Sequence, residues 1–138
     1  MSARTVCGSS SGVVLVVDDD TDLRESLEIL LSSRGYDVVT AADGVQALAW
    51  LRANSTVPCL VLLDLMMPGM DGFALHAAMA SDPDLAEIPV VVITGAGVMA
   101  DTRAGELPSQ ILRKPVPLPI LLETVRTFCA PASAPQPA

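Results

Sequence analysis

The sequence is poor in aromatic side chains and in basic residues. Only 3% of its 138 residues are aromatic, so the core must be built from the aliphatic side chains that dominate its 51% apolar content. Eight Lys and Arg residues face 16 Asp and Glu residues, which gives a net charge of −8. A nucleic-acid surface needs a basic footprint, and an anionic membrane attracts basic segments. We therefore expect no direct nucleic-acid partner and no membrane partner.

The chain also lacks a long apolar run, a signal-like start and a metal-binding pattern of cysteines. No run is long enough to span a bilayer, and residues 1–12 have no apolar centre of the secretory type. The three cysteines, Cys7, Cys59 and Cys129, are scattered and have no metal-ligand spacing. We interpret them as reduced thiols of a cytoplasmic protein and not as a redox switch.

What the chain does contain is a regular alternation of apolar runs and helical patterns. Apolar runs bounded by turn residues predict five strands, at 13–17, 36–41, 60–63, 89–94 and 111–112. Such short β–α units with fully apolar strands indicate a single parallel sheet with helices on both faces. Residues 1–12 are predicted to be flexible and the Ala/Pro-rich residues 130–138 disordered, which leaves 13–129 as the folded domain.

Helical spacing and capping residues predict the helices. Leucines recur at helical spacing after Thr21 or Asp20, either of which suits an N-cap, and Gly35 suits the C-terminal end. A second helix opens after Asp43, and we expect its inward side chains to be Val45, Leu48 and Ala49. A third helix follows Gly72, and a last one covers 118–128 with Pro119 in its first turn. The lone His76 and Trp50 are interpreted as structural or surface residues.

Polar side chains follow the predicted strands at their carboxyl ends. Asp18 and Asp19 follow the first strand, Asp64 ends the third, Thr94 ends the fourth and Lys114 follows the fifth. In a parallel doubly wound sheet these ends lie along one edge, where such folds bind ligands. Carboxylates crowded there repel one another unless a cation joins them. Mg²⁺, which prefers oxygen ligands and takes one or two carboxylates, suits that position.

The stretch Asp64-Leu65-Met66-Met67-Pro68-Gly69-Met70-Asp71-Gly72 resembles the phosphoacceptor loop of response regulator receiver domains. The resemblance extends over roughly residues 13–129. It implies a flavodoxin-like sheet with strand order 2-1-3-4-5, an order that periodicity alone does not give. It also implies that the chain is a phosphoprotein of a two-component system and not itself an enzyme.

The resemblance further implies the metal ligands. Asp19, Asp64 and the backbone carbonyl of Met66 would bind Mg²⁺ directly. Asp18 would act mainly through water. Asp20 is interpreted as part of the helix start and not of the metal site.

The resemblance assigns the phosphoryl chemistry as well. Asp64 would be the phosphorylated nucleophile, Thr94 would hydrogen-bond a phosphoryl oxygen, and Lys114 would pair first with the carboxylates and then with the phosphoryl group. The implied partners are a histidine kinase or histidine phosphotransfer domain and an unidentified downstream protein or output domain. The signal would leave through a conformational shift of residues 94–116.

This shift is expected to depart from the family pattern in one respect. The family usually has an aromatic residue three positions before the lysine, and this sequence has Ile111. Residues 95–110, where we expect only a short or irregular fourth helix, contain residues that oppose a regular helix, namely Gly95, Gly97, Gly105 and Pro108. Phosphorylation would then act by ordering or shifting residues 95–110.

Three alternatives compete with the phosphoacceptor interpretation. Gly95-Ala96-Gly97-Val98-Met99-Ala100 matches a dinucleotide fingerprint, but it follows the fourth strand and not the first. A haloacid-dehalogenase-type phosphatase would need a second Asp two residues after Asp64, where Met66 stands. A degenerate receiver that serves only as an interaction module would normally have lost part of the acidic set or the lysine, and labelling by a small phosphodonor would distinguish it.

Overall fold

The computed structural model describes residues 13–53, 57–64, 72–94, 111–114 and 116–129. The strands are β1 (Val13–Val17), β2 (Asp37–Ala41), β3 (Leu60–Asp64), β4 (Val90–Thr94) and β5 (Ile111–Arg113). The helices are α1 (Thr21–Ser33), α2 (Gly44–Ala53), α3 (Gly72–Ala80) and α4 (Leu118–Phe128). The predicted irregular helix over 95–110 lies outside the described residues, as do the predicted flexible segments 1–12 and 130–138.

The five strands form one sheet in the order β2-β1-β3-β4-β5, and every pair is parallel. This confirms the order that the family resemblance implied. All residues of β1 and β3 are buried, as in a sheet covered on both faces, whereas β2 and β5 at the edges are partly exposed. The sheet is therefore of the doubly wound class, whose ligands bind at the carboxyl ends of the strands.

Alternate residues of the central strands enter two separate cores. Val14, Val16, Leu60 and Leu62 pack with residues of α1 and α4 on one face of the sheet. Their sequence neighbours, such as Leu15 and Leu63, pack with residues of α2 and α3 on the other. Because both faces are covered, the apolar strands need no polar alternation, which explains why the sequence predicted them as continuous runs.

The ends of α1 are fixed as capping chemistry dictates. Asp20 is the N-cap, and its Oδ1 accepts the Leu23 N–H at 3.2 Å. At the other end, Gly35 has φ 93°, and the Tyr36 N–H reaches back to the Leu31 carbonyl at 3.1 Å. This is a Schellman-type ending, in which only glycine takes the left-handed conformation without strain. The prediction that Asp20 belongs to the helix start is confirmed.

The predicted inward face of α2 is partly wrong. Leu48 is buried, but Val45 is 57% exposed and Ala49 is exposed as well. The buried residues are Gly44, Ala47, Leu48 and Leu51. The segment is apolar on several sides, so its pattern fits more than one rotation of the helix. The rotation that buries the bulky Leu51 together with Leu48 is the one adopted.

The prediction that the cysteines are reduced thiols is wrong for two of them. Cys59 and Cys129 form a disulfide between residues 70 positions apart in the chain, with their Cα atoms 5.4 Å apart. Cys59 precedes β3, and Cys129 is the C-cap of α4. Residues of β3 and α4 belong to the same apolar core on one face of the sheet, and this packing brings together two cysteines that no sequence spacing connects. The argument from free thiols to a reducing compartment therefore no longer holds.

Tyr36 directly follows Gly35 at the C-terminal end of α1 and is buried, and the pH dependence of stability tests this burial. Burial raises the pKa of its phenol, and the positive charge of Arg126 partly opposes that rise. A raised folded-state pKa stabilises the fold below the unfolded pKa of about 10, and this stability is lost as the pH rises through the folded value. We expect the free energy of unfolding of Tyr36→Phe, measured with denaturant, to fall less above about pH 10 than that of wild type. Parallel pH profiles for the two proteins would contradict this.

Candidate functional site

The register of the sheet brings two carboxylates together at its carboxyl edge. Val17 of β1 pairs with Leu63 of β3, so the residues that follow, Asp18 and Asp64, reach the edge side by side. Both are buried, with 3% and 5% of their surface exposed. Two buried acidic groups in contact with one apolar core are costly unless positive charge or hydrogen-bond donors face them.

The positive charge comes from Lys114, the only lysine in the sequence. Its Nζ lies 3.3 Å from Asp18 Oδ2 and 3.7 Å from Asp64 Oδ2. It follows β5, so the sheet brings it to carboxylates that are 96 and 50 positions earlier in the chain. About a third of its side chain remains exposed, so the lysine is in part accessible from solvent.

A third carboxylate completes an acidic cluster. One oxygen from each of Asp18, Asp19 and Asp64 can be chosen so that all lie within 4.8 Å of one another. Asp19 is exposed, so the cluster opens to solvent on its side. Among the described side chains, three carboxylates face one lysine ammonium, and oxygen ligands at this spacing fit a hard divalent cation such as Mg²⁺.

Hydrogen bonds around Asp18 hold the loop between β1 and α1. The Asp20 N–H donates to Asp18 Oδ1 at 2.9 Å, and the Asp18 N–H donates to the Ala41 carbonyl at 3.1 Å. Arg24 Nη1 donates to the Asp18 backbone carbonyl at 2.7 Å. Sequence analysis missed Arg24. Its only signal is its position one turn into α1, from where a long side chain can reach back over the helix start.

The remaining predicted site residues are placed less completely. Thr94 is the last residue of β4, and its backbone is paired with Arg113, next to Lys114. Met66 and the glycine-rich 95–100 stretch lie outside the described residues. His76 is partly buried on α3, and Trp50 is partly buried against the core that α2 covers. Neither belongs to the acidic cluster.

Comparison with known proteins identifies the family. Residues 14–126 match the family model described as the response regulator receiver domain. Since this match covers most of the sequence, the chain belongs to the response regulator receiver domain family. Its place is thus in two-component signalling, in which receiver domains are the phosphorylated components.

Individual relatives agree with that assignment. The chain is 40% identical over 120 residues to the response regulator PleD of Caulobacter vibrioides, covering 86% of this chain and 26% of PleD. It is 35% identical over 117 residues to the transcriptional regulator RpaA of a Synechocystis strain, covering 83% of this chain and 48% of RpaA. A crystal structure of a response regulator receiver protein from Pseudomonas putida superimposes with a TM-score of 0.76 at 32% identity, covering 86% of this chain and 98% of that one.

The chain matches only part of each of these curated relatives. The chain spans between about a quarter and about a half of the length of the curated relatives it matches. What it has in common with them is therefore the receiver part. Among the residues that the structure describes, no helix is both long enough and apolar enough to cross a membrane.

Proposed function

We propose that Asp64 accepts a phosphoryl group from a histidine kinase or a histidine phosphotransfer domain, and that Mg²⁺ supports the transfer. The observation that carries this proposal is the convergence of three carboxylates and the only lysine at the carboxyl edge of the sheet. A structural salt bridge would need one carboxylate for one lysine. A site with an excess of carboxylates has capacity for a cation and for an anionic substrate that the cation attracts.

The ligands of the metal follow from the donor set. Asp19 and Asp64 would bind Mg²⁺ directly, together with the backbone carbonyl of Met66, and Asp18 would act mainly through water. Two of these carboxylates are buried in close contact with the lysine, so the cluster is preorganised. The bound ion would neutralise charge on the phosphoryl oxygens, the usual contribution of Mg²⁺ to phosphoryl transfer.

The protein's own groups would carry the rest of the reaction. One carboxylate oxygen of Asp64 attacks phosphorus, the bond from phosphorus to the donor's imidazole nitrogen breaks, and an acyl phosphate forms. Lys114 gives up part of its pairing with Asp64 and binds a phosphoryl oxygen in its place. Thr94, at the end of the adjacent strand, would donate a hydrogen bond to another. Positioning and charge neutralisation supply most of the catalysis in such transfers.

The product is a modified protein, so we assign the chain a role as phosphoacceptor and not as an enzyme with its own substrate. The phosphoryl group would shift residues 94–116, which connect the site to a downstream protein or output domain. The longer relatives, one of them a transcriptional regulator by name, support an output outside the receiver part.

Labelling by a small phosphodonor tests the proposal. Acetyl phosphate with Mg²⁺ should add one phosphoryl group to the wild-type chain, detected by intact mass. Labelling should fail when the metal is chelated, and hydroxylamine should remove the label, since it cleaves acyl phosphates. A chain that stays unmodified with Mg²⁺ present would be a pure interaction module.

The metal assignment predicts a large loss of affinity on one substitution. Asp19→Asn removes a charged ligand from the exposed side of the cluster without disturbing the buried pair. We expect its Mg²⁺ affinity, measured by titration calorimetry, to fall at least about tenfold, because Mg²⁺ binds few carboxylates and depends on each.

Asp22→Asn is the matched control for this prediction. Asp22 is an exposed acidic residue in the first turn of α1, three positions from Asp19 and outside the cluster. The Asp22→Asn variant should bind Mg²⁺ with the wild-type affinity. Equal affinities for Asp19→Asn and Asp22→Asn would remove Asp19 from the ligand set.

A further inference from the structure

The Cys59–Cys129 disulfide joins two elements at the end of the fold opposite the acidic cluster. Asp64 ends β3, and Cys59 immediately precedes that strand. Five residues of extended strand place the two positions about 17 Å apart. Helix α4 likewise begins shortly after Lys114 and ends at Cys129. The cross-link therefore fastens the far end of α4 to the start of the central strand.

Both cysteines lie in the apolar core between the sheet and α4. They are 4% and 3% exposed and belong to the same cluster as Tyr36, Leu121 and Val125. The inner face of α4 is anchored in this core, but its outer face carries Ile120 and Phe128, which are 49% and 37% exposed. The helix is thus held on one side only, and the disulfide is the covalent part of that hold.

Among the described residues, the last turn of α4 is held by the packing of Val125, by the disulfide and by a small number of hydrogen bonds. The Cys129 N–H donates to the Val125 carbonyl at 2.8 Å, and Thr127 Oγ1 donates to the Glu123 carbonyl at 2.8 Å. The Arg126–Glu123 ion pair is mostly exposed, and exposed pairs contribute little. A helix end of this kind frays unless it is tied down. Everything after residue 129 begins at this turn.

The site also suits the reduced form. Cys59 Sγ lies 3.2 Å from the Val13 carbonyl oxygen. A disulfide sulfur has no proton to donate, whereas a Cys59 thiol in this position has an acceptor already in place. Reduction would therefore leave Cys59 with a hydrogen-bond partner, and Cys129 could leave the core with the last turn of the helix.

From these observations we propose that Cys59 and Cys129 form a thiol–disulfide exchange site that locks the C-terminal end of α4 when oxidised and releases it when reduced. Its reaction partners are low-molecular-weight or protein thiols and disulfides. This inference does not depend on phosphorylation of Asp64.

The exchange chemistry balances without any further reactant. An external thiolate attacks Cys129 Sγ once the last turn opens, the Sγ–Sγ bond breaks, and Cys59 leaves as a thiolate that takes up a proton. A second external thiolate attacks the sulfur of the reagent in the mixed disulfide and releases Cys129, which also takes up a proton. Two electrons pass from two thiols to the protein, and one external disulfide is formed. The oxidation is the reverse.

The test uses the full chain with Cys7→Ser, so that every remaining thiol belongs to the pair. The protein is equilibrated in glutathione buffers from reducing to oxidising, quenched with acid and alkylated after denaturation. Intact mass should show the two thiols disappearing together as the buffer becomes more oxidising, with both limits reached under native conditions. Two free thiols in the most oxidising buffer would overturn the proposal. So would a disulfide that the most reducing buffer fails to open.

Hydrogen exchange on the same two samples tests the lock. Amides of residues 118–129 should exchange faster in the reduced protein, and by a larger factor than those of β1 and β3, which report only the difference in global stability. Closing a loop of 70 residues also predicts a melting temperature roughly 10 °C higher for the oxidised protein. Equal exchange of 118–129 in both states would overturn the lock. Because the comparison uses one polypeptide in two redox states, no cavity-forming substitution enters it.

Discussion

Asp64→Asn is expected to abolish phosphorylation by acetyl phosphate. An amide nitrogen or oxygen at this position cannot form the acyl phosphate, and no other carboxylate occupies the same place. Asp18 is buried as well, and Lys114 Nζ and the Asp20 N–H lie 3.3 and 2.9 Å from its two carboxylate oxygens. The measurement is intact mass after incubation with acetyl phosphate and Mg²⁺, where wild type gains one phosphoryl group and the variant gains none.

Two neighbouring substitutions serve as controls. Asp20 is the N-cap of α1 and lies outside the acidic cluster. Asp71 is part of the loop motif that follows Asp64, and no role in the chemistry is assigned to it. Asp20→Asn and Asp71→Asn should both be labelled. A stable label on Asp64→Asn, or a wild-type label that survives hydroxylamine, would place the phosphoryl group on another residue.

The central strands could be predicted from the sequence because they are buried on both faces of the sheet. Leu60 to Leu63 are 0–1% exposed, so nothing in the run needs to be polar, and the run stands out. The strand order, in contrast, could not be predicted from the apolar runs. Apolar runs do not say which strand pairs with which, and 2-1-3-4-5 followed from the family resemblance alone. The structure confirms this order.

Local capping chemistry was predictable, while long-range contacts were not. Asp20 and Gly35 act within a few residues of themselves, so their roles can be inferred from the sequence nearby. The contact between Lys114 and Asp18 joins residues 96 positions apart. The predicted parallel sheet placed both residues at one edge, and the resemblance to a known family suggested their pairing. The Cys59–Cys129 disulfide also joins residues that only the packing of the fold brings together, and no family pattern predicted it.

The buried face of the short apolar helix α2 could not be predicted from the sequence either. In α2, Val45 and Ala49 share one face, and Ala47 and Leu51 share another. Both faces are apolar, so hydropathy does not choose between them. The choice depends on which side chains fill the space next to Leu15 and Val61 in the sheet, a property of the partner surface and not of the helix.

Lys114 gives the second large expected effect, on stability. Lys114→Ala removes the ammonium that pairs with both buried carboxylates, Asp18 and Asp64, beside the exposed Asp19. Without Mg²⁺, we expect it to lower the free energy of unfolding by about 1–2 kcal/mol, less than for a fully buried pair because a third of the lysine is exposed. Arg52→Ala is the control, since its pairing with Asp82 at 3.6 Å lies at the surface and should contribute only tenths of a kcal/mol, roughly.

Removing a carboxylate should stabilise the fold, whereas removing the lysine should destabilise it. Asp64→Asn relieves repulsion within the cluster, so without Mg²⁺ its melting temperature should rise above that of wild type, as is common when a charge is removed from a strained functional site. Asp18→Asn should act in the same direction. A lower melting temperature in both variants would mean that hydrogen bonding to these carboxylates outweighs their repulsion.

The double variant Lys114→Ala/Asp64→Asn separates the two contributions. If the lysine stabilises the fold mainly by facing two buried carboxylates, its loss must cost less once one of them is neutral. Urea unfolding in chelator at low salt should therefore give a coupling free energy of about 1 kcal/mol between the two positions. Additive effects would mean that Lys114 stabilises the fold through Asp18 alone, consistent with its shorter distance of 3.3 Å to that residue against 3.7 Å to Asp64. The lysine would then already be free to leave Asp64 for an arriving phosphoryl group.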